Sequence, residues 1–145
     1  MNISLPNYNT PSELIGRPFD FKQELSDATT QIRDINTYTL FPFDKDILNQ
    51  FSASAQINVN NLIRLAGFLS RFEQYQGAYF FYHCASIDAL MLWNTGEPDG
   101  KNLVYRSLLG VGRLLLTYFG KEEMAYTIFV YINHLIPDGE ASQFI

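Results

Sequence analysis

The sequence has little that could build a covalent or metal-based site. Its 145 residues include one cysteine, Cys84, and two histidines, His83 and His134. A single thiol excludes an internal disulfide, and the histidines match no metal-ligand spacing, so we predict no metal and no cofactor. The amino-terminal stretch MNISLPNYNTP lacks the basic and apolar regions of a signal peptide. Because free thiols are typical of a reducing compartment, we expect a cytoplasmic protein.

Charge is also scarce, and it is unevenly distributed. Only 17% of residues are charged while 47% are hydrophobic, and the net charge is −5. Residues 1–50 carry seven acids and four bases, residues 51–120 four acids and five bases, and residues 121–145 four acids and one base. An acidic chain disfavours nucleic acid as a ligand. With so few charged residues to cover the surface, we predict that some exposed apolar surface contacts another protein.

The chain lacks an apolar run long enough for a membrane, although it contains four consecutive aromatic residues, Tyr79-Phe80-Phe81-Tyr82. The apolar stretch 78–93 is shorter than the roughly 20 residues of a bilayer crossing and contains polar side chains, so we predict no membrane insertion. Its length also disfavours a strand. Since four successive helical residues cover most of the circumference, we predict a helix buried between neighbours on both sides.

The length and periodicity predict a single all-α domain spanning 1–145, with about six helices. Residues 1–19 contain three prolines and predict an irregular arm. Residues 20–56 predict two helices, one from Asp20 and one near Asp44, joined by an extended connector. The first helix, over 20–35, has one apolar stripe that either packs on its own domain or forms a homodimer. Two helical hairpins are predicted at 58–93 and 101–137.

The two hairpins have similar apolar positions. The first has Leu62, Leu65, Ala66 and Leu69 followed by Tyr75, Ala78, Tyr82 and Ala85; the second has Leu108, Val111, Gly112 and Leu115 followed by Gly120, Ala125, Phe129, Ile132 and Pro137. This pattern resembles the tetratricopeptide repeat, in which a small residue lets paired helices approach and an aromatic side chain fills the gap. An unrelated all-α bundle is the alternative.

The segments LIRLAGFLSRFEQYQGAYFFYHCA and RSLLGVGRLLLTYFGKEEMAYTIFVY, together with the preceding amphipathic helix, resemble the small acidic chaperones that hold type III secretion translocators before export. The resemblance implies a cradle that is lined by the first helix of each hairpin and binds an extended client segment. It also implies dimerisation through an amino-terminal helix. The implied peptide-binding positions are Asn60, Ile63, Gly67, Ser70 and Arg71 in the first leading helix and Arg106, Leu109, Arg113, Leu116 and Thr117 in the second.

Spacing alone puts these arginines on shared helix faces. Arg64 and Arg71 are seven residues apart, as are Arg106 and Arg113, so each pair lies on one side of its helix. We predict that they bind carboxylates or carbonyl groups of a peptide; the alternative is that they are solvated or paired with acids such as Glu73.

We find no pattern that predicts catalysis. Adjacent helical residues point about 100° apart, so His83 cannot readily activate the Cys84 thiol, and buried packing explains both better. The glycines of GVGRLL at 110–115 predict close helix packing rather than a dinucleotide site. We therefore predict a noncatalytic, protein-binding chaperone or adaptor, such as one for a secreted client. The alternative is an acidic immunity or antitoxin protein that neutralises a toxin through acids such as Asp20, Asp27, Asp34 or Asp44.

Overall fold

The computed structural model describes residues 2–34 and 58–145, which contain helices and no β-strand. The helices within these two ranges are α1 Pro11–Ile15, α2 Phe21–Asp34, α3 Val59–Arg71, α4 Tyr75–Asn94, α5 Gly100–Thr117, α6 Glu122–Leu135 and a final 3₁₀ helix, Glu140–Phe144. The predicted all-α class and the helix count are confirmed. The helix predicted near Asp44 and the extended connector before it lie outside the described residues.

The last four α-helices form the two predicted hairpins. Asn58 caps α3, since its side-chain oxygen accepts a hydrogen bond from the backbone N–H of Asn61 at 2.9 Å. α4 packs against both α3 and α5, and α5 packs against both α4 and α6. Gly120 has a φ of 66° between α5 and α6, a left-handed conformation that glycine adopts without strain. The predicted turn after α5 is therefore observed.

The four consecutive aromatic residues are buried in different directions. Phe80 stacks on Phe19 with ring centroids 4.2 Å apart, and Phe81 lies edge-on to Phe21 at 6.0 Å. The remaining two, Tyr79 and Tyr82, face other neighbours. Tyr79, Phe80 and Phe81 are buried and Tyr82 is half-buried, which confirms the prediction of a helix enclosed on both sides. None of the helices in the two described ranges combines the length and hydrophobicity needed to cross a bilayer.

The glycines of the GVGR segment allow close helix packing, as predicted. A Cβ atom built on Gly112 would lie 2.7 Å from a ring carbon of Phe129, a contact that real side chains do not make. Gly112 lies on α5 and Phe129 on α6, so the absence of a side chain lets these two helices approach with the phenyl ring between them. The second hairpin thus has the expected pair of a small residue, Gly112, and an aromatic residue, Phe129.

The apolar stripe of α2 packs on the chain's own core as far as the structure describes it. The helix begins after Asp20, whose carboxylate accepts a hydrogen bond from the N–H of Lys22 at 3.0 Å. Leu25 and Ala28 are both buried within the core cluster. Of the two alternatives for the apolar stripe of α2, these contacts support packing on its own domain rather than a homodimer through residues 20–35.

The amino-terminal arm is more ordered than the sequence analysis predicted. Residues Pro11–Ile15 form a short helix, α1, in the segment where the three prolines predict irregular structure. Thr10 and Glu13 form a capping box, proline occupies the first helical turn, and Gly16 ends the helix with a φ of 76°. The prediction of an irregular arm is therefore wrong for residues 11–15, because proline at the first helical position favours a helix start.

The arm is held along α4 and α6 by hydrogen bonds. The backbone of Ile3 exchanges two bonds with the side-chain amide of Asn94, at 2.9 and 3.0 Å. The hydroxyl of Tyr131 donates to the carbonyl of Ser4 at 2.9 Å. These contacts join residues more than 90 positions apart in sequence and fix the arm on the hairpins.

Candidate functional site

A groove lies between α3 and α5, the leading helices of the two hairpins. Its volume is about 590 Å³, and it is lined by residues of both helices, of α4 and of the 3₁₀ helix. We call it the α3–α5 groove. Eight of the ten predicted peptide-binding residues line it: Ile63, Gly67, Ser70, Arg71, Arg106, Leu109, Arg113 and Thr117.

Two predicted residues do not line the groove. Asn60 instead lies in a neighbouring cavity of about 360 Å³, where its side-chain oxygen accepts a hydrogen bond from Arg106 at 3.0 Å. Leu116 is half-buried against the hydrophobic core, where a leucine gains more from burial than at an open surface. Arg64, the other arginine predicted to share the face of Arg71, is exposed and also lies outside the groove lining.

Tyr82 reaches the groove from α4 through a gap left by two glycines. A Cβ atom on Gly110 would lie 2.4 Å from a ring carbon of Tyr82, and one on Gly67 would lie 3.4 Å from its hydroxyl oxygen. Since any larger residue at position 110 would collide with the ring, Gly110 is what allows the tyrosine to lie here. The sequence pattern had identified Tyr82 as a packing residue, and the structure adds that it lines the groove.

Three arginines act on the same phenol. Burial raises the pKa of Tyr82, while the guanidiniums of Arg113, Arg71 and Arg106 act in the opposite direction. These arginines line the same groove as Tyr82, so positive charges from both leading helices lie around one phenol. Buried Ile63 and Leu109 supply apolar surface in the same groove. The arrangement can therefore bind carboxylate or carbonyl oxygens beside apolar side chains.

The 3₁₀ helix also contributes to the groove, which the sequence analysis missed. The carboxylate of Glu140 pairs with the guanidinium of Arg113, and both Glu140 and Phe144 line the groove. The predicted alternative partner, Glu73, lies elsewhere, in a separate cavity of about 260 Å³. No local pattern predicts this pairing, because Arg113 and Glu140 are 27 residues apart.

A second polar cluster joins the arm to α4. Ser86 donates to the carbonyl of His83 at 2.7 Å. Because each hydroxyl has one proton, Tyr8 must then donate to Ser86, 2.9 Å away, and His83 Nδ1 must donate to Tyr8, 2.8 Å away. This chain of bonds fixes the tautomer of His83 and uses every proton of the two hydroxyls.

The cluster offers no activated nucleophile. Burial raises the pKa of the Cys84 thiol to about 12, so the thiolate is disfavoured near neutral pH. Burial also lowers the pKa of His83, which keeps the imidazole neutral. Within the described residues, no group of three or more His, Cys, Asp or Glu side chains is placed to hold a metal ion.

Comparisons of the chain with protein-family models, with curated proteins and with solved structures give no match. The function is therefore inferred from the geometry of the α3–α5 groove.

Proposed function

We propose that the protein is a noncatalytic chaperone or adaptor that captures a segment of another polypeptide in the α3–α5 groove. The observation that carries this proposal is the convergence of Arg71, Arg106 and Arg113 on one groove beside buried Ile63 and Leu109. The guanidiniums hold carboxylates or carbonyl oxygens of the segment by charge-assisted hydrogen bonds. The apolar residues of the groove remove part of the segment from water.

The proposed client is a protein kept unfolded or unassembled until export, and the proposed compartment is the cytoplasm. The support for this finer proposal is the resemblance of the two hairpins to tetratricopeptide units and to type III secretion translocator chaperones. A groove formed by the two leading helices is what that resemblance implies. The proposal is specific enough to be tested by identifying what the groove retains.

The test is a quantitative pull-down from native extract with the wild-type protein and the variant Arg71→Ala/Arg106→Ala/Arg113→Ala. We expect the client to be retained by the wild-type protein and reduced at least tenfold by the variant, since several charge-assisted contacts are lost together. Retained proteins are quantified by mass spectrometry, and circular dichroism verifies that the variant is folded.

The matched control is Arg64→Ala/Lys101→Ala/Lys121→Ala. It removes the same number of positive charges from exposed positions outside the groove. This control should retain the client as the wild-type protein does. Equal losses in both variants would indicate a nonspecific charge effect and would contradict the proposal.

The acidic immunity protein is the second candidate. Asp20 and Asp27 are exposed on or next to α2, away from the groove lining, and could face a basic toxin. Asp34 and Asp44 lie where the structure describes no side chains. The variant Asp20→Asn/Asp27→Asn distinguishes the candidates, because it should abolish binding to a toxin and leave capture by the groove unchanged.

A further inference from the structure

One wall of the α3–α5 groove is formed by the chain's own 3₁₀ helix, and its contacts show what chemistry the groove accepts. Glu140 pairs with the guanidinium of Arg113, and the same guanidinium lies 5.9 Å from the ring centroid of Phe144. Arg113 thus lies against both the carboxylate of Glu140 and the ring of Phe144, which is four residues after Glu140. A guanidinium suits both, since it binds carboxylates and lies favourably over aromatic faces.

The 3₁₀ helix is attached to the rest of the protein by two packed contacts and by one exposed ion pair. Ala141 is fully buried, and its N–H donates to the hydroxyl of Tyr105 at 2.9 Å. Phe144 stacks on Phe129 with ring centroids 4.4 Å apart. The Glu140–Arg113 pair is different, because the two side chains are 59% and 49% exposed. Water screens such an exposed pair, so a carboxylate from another molecule can displace it.

Glu140 is the one acid among the described residues that line the groove, and it pairs with Arg113. Arg106 lines the same groove, and its guanidinium donates to the uncharged amide of Asn60 at 3.0 Å. A guanidinium that meets an amide can still bind a carboxylate, and in a protein whose net charge is −5 the acidic surface elsewhere directs an acidic ligand toward it.

We infer that the α3–α5 groove binds peptide segments carrying a carboxylate and an aromatic side chain, and that Glu140 competes with such a segment for Arg113. This inference rests on the proposed function and names the class of segment that is captured. The 3₁₀ helix is then an internal competitor. Segments without a carboxylate cannot displace Glu140 from Arg113 and bind more weakly.

The test uses a short fluorescent peptide that carries Glu-Ala-Ser-Gln-Phe, and its binding to the full chain is followed by fluorescence anisotropy. Two matched peptides replace its glutamate by glutamine or its phenylalanine by alanine. We expect Glu140→Gln to bind the acidic peptide about two- to fivefold more tightly than the wild-type protein, since one exposed competing charge is removed. Both altered peptides should bind more weakly.

The matched control is Glu97→Gln, which makes the same change in net charge at an exposed turn outside the groove. It should leave peptide binding unchanged. Equal affinity of wild-type and Glu140→Gln proteins, or equal binding of the glutamate and glutamine peptides, would overturn the inference. A dimer that dissociates in Glu140→Gln would also overturn it, because the segment would then serve a second copy of the chain.

The two proposals fail in distinguishable ways. If the three arginines are needed to retain a client but the acidic peptide does not bind, the inference is wrong and the proposed function stands. If the arginine variant retains every polypeptide that the wild-type protein retains, the proposed function itself is wrong.

Discussion

The polar groups of α4 lie in two different surroundings. Toward the arm, His83 and Ser86 bond to Tyr8, and the hydroxyl of Tyr79 donates to the carbonyl of Asn9. Toward the groove, the Tyr82 phenol lies near three arginines, and Arg113 is about half exposed. The groups near the arm form hydrogen bonds within the protein, whereas the groove presents charge at an open surface.

This difference separates stability from recognition. A buried hydrogen-bonded network stabilises one arrangement of the chain, because breaking any bond leaves a buried group unpaired. Exposed guanidiniums contribute little to stability, since water screens their interactions. We therefore expect substitutions near the arm to change the free energy of unfolding and substitutions in the groove to change client binding. A substitution at Gly110 should change both.

The largest effect is expected from Gly110→Ala. The new Cβ would lie 2.4–2.5 Å from three ring carbons of Tyr82, so the ring or the helix must move. We expect the free energy of unfolding to fall by about 1–3 kcal/mol, as in other overpacked sites. Urea denaturation measures this change, and the same protein should bind client more weakly because the displaced ring enters the groove.

The control for this variant is Gly77→Ala. Gly77 is also helical, but its new Cβ would meet the nearest atom, a methyl carbon of Leu69, at 3.4 Å. We expect this variant to be neutral or up to about 1 kcal/mol more stable, because alanine favours a helix over glycine. A similar loss of stability in both variants would indicate that the Tyr82 contact is unimportant.

An intermediate effect is expected from Tyr8→Phe on the arm side. The change removes the acceptor for His83 Nδ1 and the donor to Ser86 Oγ while keeping the ring. We expect a loss of about 1–2 kcal/mol in the free energy of unfolding, which chemical denaturation can measure. Tyr82→Phe is the matched variant on the groove side, and it should change stability by less than about 0.5 kcal/mol. The reverse order would contradict the comparison.

The smallest effect is a pH dependence through His83. Burial holds the pKa of His83 below 6.5 in the folded protein, while unfolding restores it to that value. As pH falls through 6.5 the unfolded chain takes up a proton that the folded chain does not, so stability decreases toward acid. The slope should not exceed about 1.4 kcal/mol per pH unit.

His83→Asn tests this slope, because asparagine keeps a donor near the Nδ1 position without a titratable group. Thermal unfolding between pH 7.5 and about 5.5 should show a smaller decrease for this variant than for the wild-type protein. Asp88 has a pKa raised by burial, which produces the opposite slope, but Asp88 is present in both proteins and its contribution cancels in the comparison. Parallel curves for the two proteins would show that His83 does not contribute.

The helices could be predicted from helical periodicity, and the resemblance to tetratricopeptide repeats implied most of the residues that line the groove. Leu62, Leu65 and Leu69 mark the buried face of α3, and this leaves Ile63, Ser70 and Arg71 on the side that meets α5. The same periodicity places Arg106 and Arg113 together. The features that could be predicted were therefore set within single helices.

The contacts that the sequence did not predict join distant parts of the chain. Glu140 reaches Arg113, and Tyr8 reaches His83 across 75 residues, and neither pairing leaves a local pattern. α1 is different, because the capping box of Thr10 and Glu13 was present in the sequence. The prediction of an irregular arm used only the prolines, although one of them, Pro11, occupies a position that favours a helix start.

Site-specific photo-crosslinking tests most directly whether the α3–α5 groove is the surface that captures polypeptide. A photoreactive phenylalanine analogue replaces Thr117, an exposed residue of the groove, or Thr127, an exposed residue of α6 outside it. After irradiation in native extract, we expect client adducts from position 117 that disappear when Arg71, Arg106 and Arg113 are replaced by alanine. Adducts of equal yield from position 127, or adducts from position 117 that persist without the arginines, would contradict the account.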